Sequence, residues 1–460
     1  MRLLFAVVLA GLLGTAPGLV PVATAQDAKA DNWFVLRYDQ NGNPIGADAG
    51  QAPTLSPMNP GQQDGAPAIG APNSPAGKAP EQIPAGPEPE LRTDKPHEDG
   101  ELLVMQTDNR QLEALRRLNF AILERMRLGN LGIEVLRLRK PPELTLDAAI
   151  RLVETQFPGL VVDTNDLLDR SQGAGATVAS TAGGAADIQP DFSRELTGWG
   201  VVPDSCGTGM RIGMIDSLVD TRARAFKGRS VVYRSFTDPA RTPSDDEHGT
   251  AVASVLVGNG NGTSLPGGLL PGAQIYAAGI FELRGGKSTG NLAALLRAMD
   301  WLVAQKVQVV NLSVAGHGNA VMTIALNKAV EAGLALVAAA GNNGPGAPPA
   351  WPAAHAKVIA VTAIDIDMNV YRHANSGDYI DFAAPGVNVS TATPRGAARQ
   401  SGTSFATPFL TAMVAIHRAA GFTGDADILR ASLRRYTVDL GLSGHDMTFG
   451  WGLARLRPNC

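Results

Sequence analysis

The chain has 460 residues, room for roughly three domains at about 150 residues each. Hydrophobic residues make up 44% and charged residues 18%, which allows a large core and excludes wholesale disorder. A net charge of −4 offers no electrostatic footprint for nucleic acid, and two cysteines are too few for a disulfide-dense scaffold or a four-thiolate zinc site.

Residues 1–25 read as a signal peptide. Arg2 supplies the positive end, Leu3 to Leu13 the apolar run, and Ala23-Thr24-Ala25 a small-x-small cleavage site. Gly14, Pro17, Gly18 and Pro21 interrupt the apolar stretch, which suits a signal better than a span of roughly 20 residues. Export to the periplasm or the medium is expected, with no membrane span in the mature chain. Residues 26–97 are rich in Pro, Gly, Ala and Gln and show no apolar period, so they are expected to be disordered.

The pattern changes over residues 98–171. Leu102 to Gln106 reads as a strand. Asn109 to Leu128 is expected as one helix, with Leu112, Leu115, Leu118, Ile122 and Met126 on one face. Ile133 to Arg139 alternates as a strand, ended by Pro141-Pro142. Thr145 caps a second helix running through Ala149, Leu152 and Val153 to Phe157, and Gly159 to Val162 opens a last strand. The expected unit is β-α-β-α-β and, at about 70 residues, marginal alone. Residues 172–198 carry mostly Gly, Ala, Ser and Thr at their start and are expected to form a flexible linker.

Residues 199–460 alternate strand and helix. Arg211 to Ile215, Gln274 to Ala278, Val307 to Asn311, Ala335 to Ala340 and Val358 to Ala363 are short and apolar. Helical patterns at Leu292 to Gln305 and Val321 to Glu331 lie between some of them. This order implies an α/β fold, a doubly wound and mostly parallel sheet with crossover helices.

Three segments carry chemistry. Ile212-Gly213-Met214-Ile215-Asp216-Ser217 puts a carboxylate at the end of a buried strand. Asp246-Glu247-His248-Gly249-Thr250 offers a base, and Ser401-Gly402-Thr403-Ser404-Phe405-Ala406 a serine where a loop enters a helix. Singly, each has a plain structural reading: a turn acid, a structural histidine, a helix N-cap. Together they supply the nucleophile, base and orienting carboxylate of acyl transfer, in the order Asp, His, Ser. Esterases with Gly-x-Ser-x-Gly do not fit, because Ser404 is followed by Phe405-Ala406.

On these segments the chain resembles the subtilisin-like serine proteases, from about Asp204 to Gly452. The resemblance implies a triad of Asp216, His248 and Ser404. A silent binding relative would be expected to have lost one of them. Ala338-Ala339-Ala340-Gly341-Asn342 resembles the segment whose Asn donates to the oxyanion, so Asn342 and the Ser404 backbone N–H are the expected hole. Asn311-Leu312-Ser313-Val314-Ala315-Gly316 resembles the strand that pairs with substrate, implying contacts from Ser313, Val314 and Ala315. Ala339, Ala340 and Gly341 would form the opposite wall of the P1 pocket, with Trp351 beside its floor. No acid lies in those walls, so a strict Lys/Arg preference at P1 is not implied.

The departures are Leu218 and Ala315, each where a Gly is usual. Calcium ligands of many relatives do not map, Ala225 falling near one such position. The Gly-rich loop Gly258 to Gly268 is left as a candidate for holding a cation through carbonyls. No metal ligand set is expected, since the seven histidines show no HExxH spacing, and the chemistry requires no cofactor. The β-α-β-α-β unit resembles the family's ferredoxin-like propeptide. It is expected to act as an intramolecular inhibitor with Thr164 to Ser171 in the cleft; a permanent accessory domain is the alternative. The other expected partner is a peptide or protein substrate. Cys206 and Cys460, the one pair in an exported chain, invite a disulfide, while free thiols or a link to another molecule remain open.

Overall fold

A computed structural model describes residues 37–38, 44–45, 94–105, 107–170, 191–260, 267–423 and 425–460. The expected signal peptide lies outside the described residues, as do most of the expected disordered segment and residues 171–190 of the expected linker. Within 26–97 the described residues are a short antiparallel pair, Arg37–Tyr38 with Pro44–Ile45, and residues 94–97.

The smaller unit contains β1 (His97–Met105), α1 (Asn109–Arg117), β2 (Ala121–Leu128), β3 (Ile133–Arg139), α2 (Leu146–Gln156) and β4 (Val161–Arg170). Its strands are antiparallel in the order β4-β1-β3-β2. The expected single helix over Asn109 to Leu128 is therefore replaced by a helix and a strand, and the unit is β-α-β-β-α-β. An Asp108–Gln111 capping box opens α1, and Asn119, at φ 61°, turns the chain out of it. Ile122 and Met126 are four residues apart, a spacing that satisfies both the helical period and the strand period. Arg125 and Arg127, exposed on either side of buried Met126, show that period two prevails.

The sheet of this unit is apolar on both faces. On one, Leu102, Val104, Leu136 and Leu138 pack with Leu115, Ala149, Ile150 and Val153 of its own helices. On the other, Leu103, Met105, Met126, Leu128 and Val135 share a core with helices of the larger unit.

The larger unit is built on a nine-stranded sheet. Its principal strands are β5 (Arg211–Asp216), β6 (Ser230–Ser235), β7 (Gln274–Gly279), β10 (Val309–Leu312), β12 (Ala335–Ala339), β13 (Ile359–Ile364) and β14 (Phe382–Pro385). They run parallel in the order β14-β13-β12-β10-β5-β7-β6, and two short strands extend the β14 edge. Alternate residues feed two cores. Ile212, Met214, Val309 and Val337 pack with α4 (Glu247–Val257) and α7 (Thr403–Ala419). Ile215, Val310, Leu312 and Leu336 pack with α5 (Leu292–Ala304) and α6 (Ala320–Glu331). Burial on both faces explains why the central strands β5, β10, β12 and β13 read as apolar runs, whereas the edge strand β6 is largely exposed.

The expected linker 172–198 ends in a short helix, Phe192–Thr197, with Phe192, Ser193 and Thr197 buried and Thr197 O accepting from Leu456 N at 2.8 Å. That stretch belongs to the larger unit. Cys206 and Cys460 are joined in a disulfide across 254 residues, with Cα atoms 5.0 Å apart.

Candidate active site

The expected catalytic residues gather beyond the carboxyl ends of the parallel strands, where open α/β sheets place their sites. Asp216 is the last residue of β5. His248 is the second residue of α4 and Ser404 the second of α7, and these helices pack against each other. All three side chains belong to buried residues.

His248 Nδ1 lies 2.7 Å from Asp216 Oδ1, which also accepts from Ser217 N at 2.6 Å. Burial pushes the Asp216 carboxyl up, but the His248 charge and hydrogen bonds from His248, Ser217 and Ser313 hold it below the usual carboxylate range. Asp216 therefore stays ionised and fixes the tautomer in which Nδ1 carries the proton. The opposite nitrogen, Nε2, is buried and has no hydrogen-bond partner among the described residues. Phe405, next to Ser404, meets the His248 ring edge-on at 5.2 Å between centroids.

Gly249 permits this approach. A Cβ there would lie 2.6 Å from Leu218 O, and the Gly249 N–H donates to Ser217 Oγ at 2.9 Å. Leu218, one of the departures noted in the sequence, turns its backbone carbonyl toward this glycine.

Asn342 follows β12. Its Oδ1 accepts from Thr403 N at 3.1 Å, leaving Nδ2 as the donor end of the amide. Thr403 Oγ1 in turn accepts from Gly341 N at 3.3 Å. These bonds tie the end of β12 to the first turn of α7, so Asn342 and Ser404 are held by one local network. The N-termini of α4 and α7 also direct positive partial charge toward the same place.

The expected substrate residues separate into three groups. Val314 and Ala315 form a two-residue strand, β11, paired antiparallel with Arg170 and Asp169 of β4. Ser313 instead turns toward the triad: its hydroxyl bonds to Asp216 and accepts from Asn311 Nδ2 at 3.0 Å. Ala339, Ala340 and Gly341 are buried around the end of β12, and Trp351 exchanges two backbone hydrogen bonds with Gly316.

A second wall was missed in the sequence. β8 (Glu282–Arg284) and β9 (Lys287–Asn291) form a hairpin through Gly285-Gly286, both at positive φ, and β9 pairs with Leu167, Leu168 and Asp169. Its signal was a Gly-Gly turn between two short segments. β4 thus lies between β9 and β11, adding a strand to two exposed edges. Leu168 is fully buried, and a Cβ on Gly316 would lie 2.6 Å from its Cδ2.

Among the described residues no group of three His, Cys, Asp or Glu is placed to hold a metal ion. Residues 261–266 of the loop considered for a cation lie outside the described residues. No described helix is long and apolar enough to cross a membrane.

Comparison with known proteins shows the family and the fold. The subtilase family profile matches residues 173–452. The chain is 35% identical over 253 residues to the minor extracellular protease Epr of Bacillus subtilis, covering 55% of this chain and 38% of that one. It is 29% identical over 251 residues to alkaline elastase YaB of a Bacillus species, covering 54% and 63%. Subtilisin E of Bacillus subtilis is 28% identical over 217 residues, 46% and 55% of the two chains. The matches therefore span less than two thirds of each of these relatives. The crystal structure of fervidolysin, a keratinolytic enzyme from Fervidobacterium pennivorans, superimposes with a TM-score of 0.66 at 20% identity. That match covers 80% of this chain and 61% of the other, and shows a shared fold. Since the family profile covers more than half of the sequence, the chain belongs to the subtilase family.

Proposed function

We propose that this protein is an exported serine endopeptidase made as a zymogen. The observation that carries the reading is the buried Asp216–His248 bond beside the α7 turn bearing Ser404. Ser404 Oγ attacks the substrate carbonyl, His248 Nε2 takes its proton, and Asp216 holds the imidazolium in place. Asn342 Nδ2 and the Ser404 N–H donate to the developing oxyanion. The His248 proton then goes to the leaving amine, and water releases the acyl group by the same route.

Substrate binds as an extended strand between β9 and β11, so backbone hydrogen bonds supply most of the affinity. β4 already lies there, which supports assigning the smaller unit as a propeptide that inhibits by occupying the groove. β4 ends with Arg170 opposite Val314, one register step short of Ser313, which supports a self-processing cut at the expected propeptide boundary, after Ser171. The disulfide and the name of the extracellular relative support export.

Labelling with a serine-directed phosphonate tests the reading. The secreted protein should take up one equivalent at Ser404, and purified Ser404→Ala should take up none and remain full length. A Ser404→Ala protein that still cuts itself would overturn both the nucleophile and the zymogen assignment.

A further inference from the structure

The strand in the groove contributes a charge as well as backbone. Arg170, its last described residue, places Nη1 2.9 Å from Asp245 Oδ2 and 3.2 Å from Oδ1. The Arg170 side chain is 17% exposed and that of Asp245 44%. Asp245 stands three residues before His248, just ahead of α4. The neighbouring carboxylate Glu247 is already paired with Arg395, from the turn between Val389–Thr393 and Gly396–Gln400. Asp245 has no such partner within the larger unit: among the described residues, the cation paired with it is Arg170. When the smaller unit leaves, Asp245 remains beside the groove as an unmatched negative charge.

Building on the peptidase reading above, we infer that Asp245 forms the acidic wall of a subsite selecting Arg or Lys at the substrate position that Arg170 occupies. The register fixes that position. Asp169 lies opposite Ala315 and Arg170 opposite Val314, and buried Leu168 anchors the strand against Gly316. The preferred substrate is then a flexible protein segment carrying an apolar residue two positions before a basic one, cut one residue beyond the basic position. The walls assigned to the pocket beyond it contain no acid, so the charge preference lies at this neighbouring position. Because Asp245 is partly exposed, solvent screens the pair, and the preference is about two- to fivefold rather than absolute.

The test uses the secreted, processed enzyme and internally quenched peptides spanning residues 165–175, with Arg, Lys, Gln or Glu at position 170. Ratios of kcat/KM among the four peptides are read within each enzyme, so a general change in activity cancels. The native enzyme should cut the Arg and Lys peptides about two- to fivefold faster than the Gln peptide, and the Glu peptide slowest. Asp245→Asn should level the series, and Asp245→Arg should favour the Glu peptide. Equal cleavage of all four by the native enzyme, or an unchanged preference in Asp245→Asn, overturns the subsite alone. If no peptide is cut and Ser404 stays unlabelled by the phosphonate, the peptidase reading fails and the subsite with it.

Discussion

The two units bury their sheets in different ways. In the larger one, both faces of the parallel sheet are covered by helices of the same unit, and the proposed catalytic groups cluster at its carboxyl ends. In the smaller one, only one face has helices of its own. The other face rests on α5 and α6, and the edge strand β4 pairs with the groove. That contact is keyed by polar groups. Asp163 Oδ2 accepts from Ala320 N at the start of α6, and Asn165 Oδ1 accepts from Ala293 N at the start of α5. Each helix also has its own cap, Asn319 or Asn291, which serves other N–H groups of the first turn. The smaller unit therefore completes the capping of two helices it does not own. Its apolar face supplies area, and its caps supply register. Those N–H groups can return to water when it leaves, which suits a removable partner better than a permanent core.

If the comparison holds, chemistry and docking should respond to different substitutions. Asp216→Asn should lower kcat by roughly 10⁴ on peptide substrates, by analogy with the triad aspartate of the chymotrypsin type. Thermal unfolding should change little, because the substitution keeps the shape of the side chain. Turnover near that of the native enzyme would remove Asp216 from the mechanism.

A smaller effect should divide the two faces of the small sheet. Met126 lies in the shared core and Leu136 in the unit's own core. Truncating either to Ala should cost about 2–5 kcal/mol, but in different transitions. In uncut Ser404→Ala protein, Met126→Ala should weaken docking and expose the junction after Ser171 to added protease. Leu136→Ala should unfold the smaller unit itself. Identical calorimetric and proteolytic profiles for the two variants would mean that the faces are not independent.

Removing one key should matter less again. Asn165→Ala deletes the bond to Ala293 N and the one that Asn165 Nδ2 donates to Glu101 Oε2 at 2.9 Å. Docking should lose roughly 1–2 kcal/mol, the worth of the cap, because Glu101 belongs to the same unit as Asn165. The measurement is the inhibition constant of the separated small unit against the processed enzyme. An unchanged constant would leave the caps without energetic weight.

The contrast also explains what the sequence disclosed. Strands such as Ala335–Ala339 are apolar on both faces because local helices cover both, and that is visible in a short window. Asp216, His248, Ser404 and Asn342 sit in compact motifs for the same reason: each is positioned by its own strand end or helix start. The smaller unit was misread where Ile122 and Met126 suited two periods at once. β9 went unrecognised because Lys287–Asn291 is polar and becomes a strand through pairing with β4, more than 100 residues away. Ser313 was expected among the substrate contacts as part of a pairing strand, and the bond of its hydroxyl to Asp216 carried no signal in the sequence. Asp163 and Asn165 gave no signal, because the helices they cap lie in the other unit.

The finest distinction is pH dependence. Asp166 is fully buried and its Oδ2 lies 2.9 Å from Lys95 Nζ. Burial raises its carboxyl from 3.8 to about 6, although Lys95 and a bond from Thr164 oppose this. A carboxyl whose docked value is raised favours docking fully below 3.8 and loses that contribution as pH rises through about 6. Acidification from pH 7 to 5 should therefore tighten the Asp166 contribution by about tenfold, near 1.4 kcal/mol. Asp169, raised by burial, acts in the same direction, while His317, lowered by burial, acts against it. Glu98 has the opposite sign at lower pH. Burial raises it, but Arg284, Asn291 and Arg241 hold it down at about 2 against an ordinary 4.5, so its contribution is lost as pH falls from 4.5 toward 2. Inhibition by the small unit should thus pass through a maximum between these ranges. Measuring the inhibition constant for native and Asp166→Asn units isolates the acidic group, because His317 and Asp169 are common to both. The native unit should gain about tenfold relative to the variant between pH 7 and 5; parallel pH profiles would show that Asp166 does not titrate in the docked state.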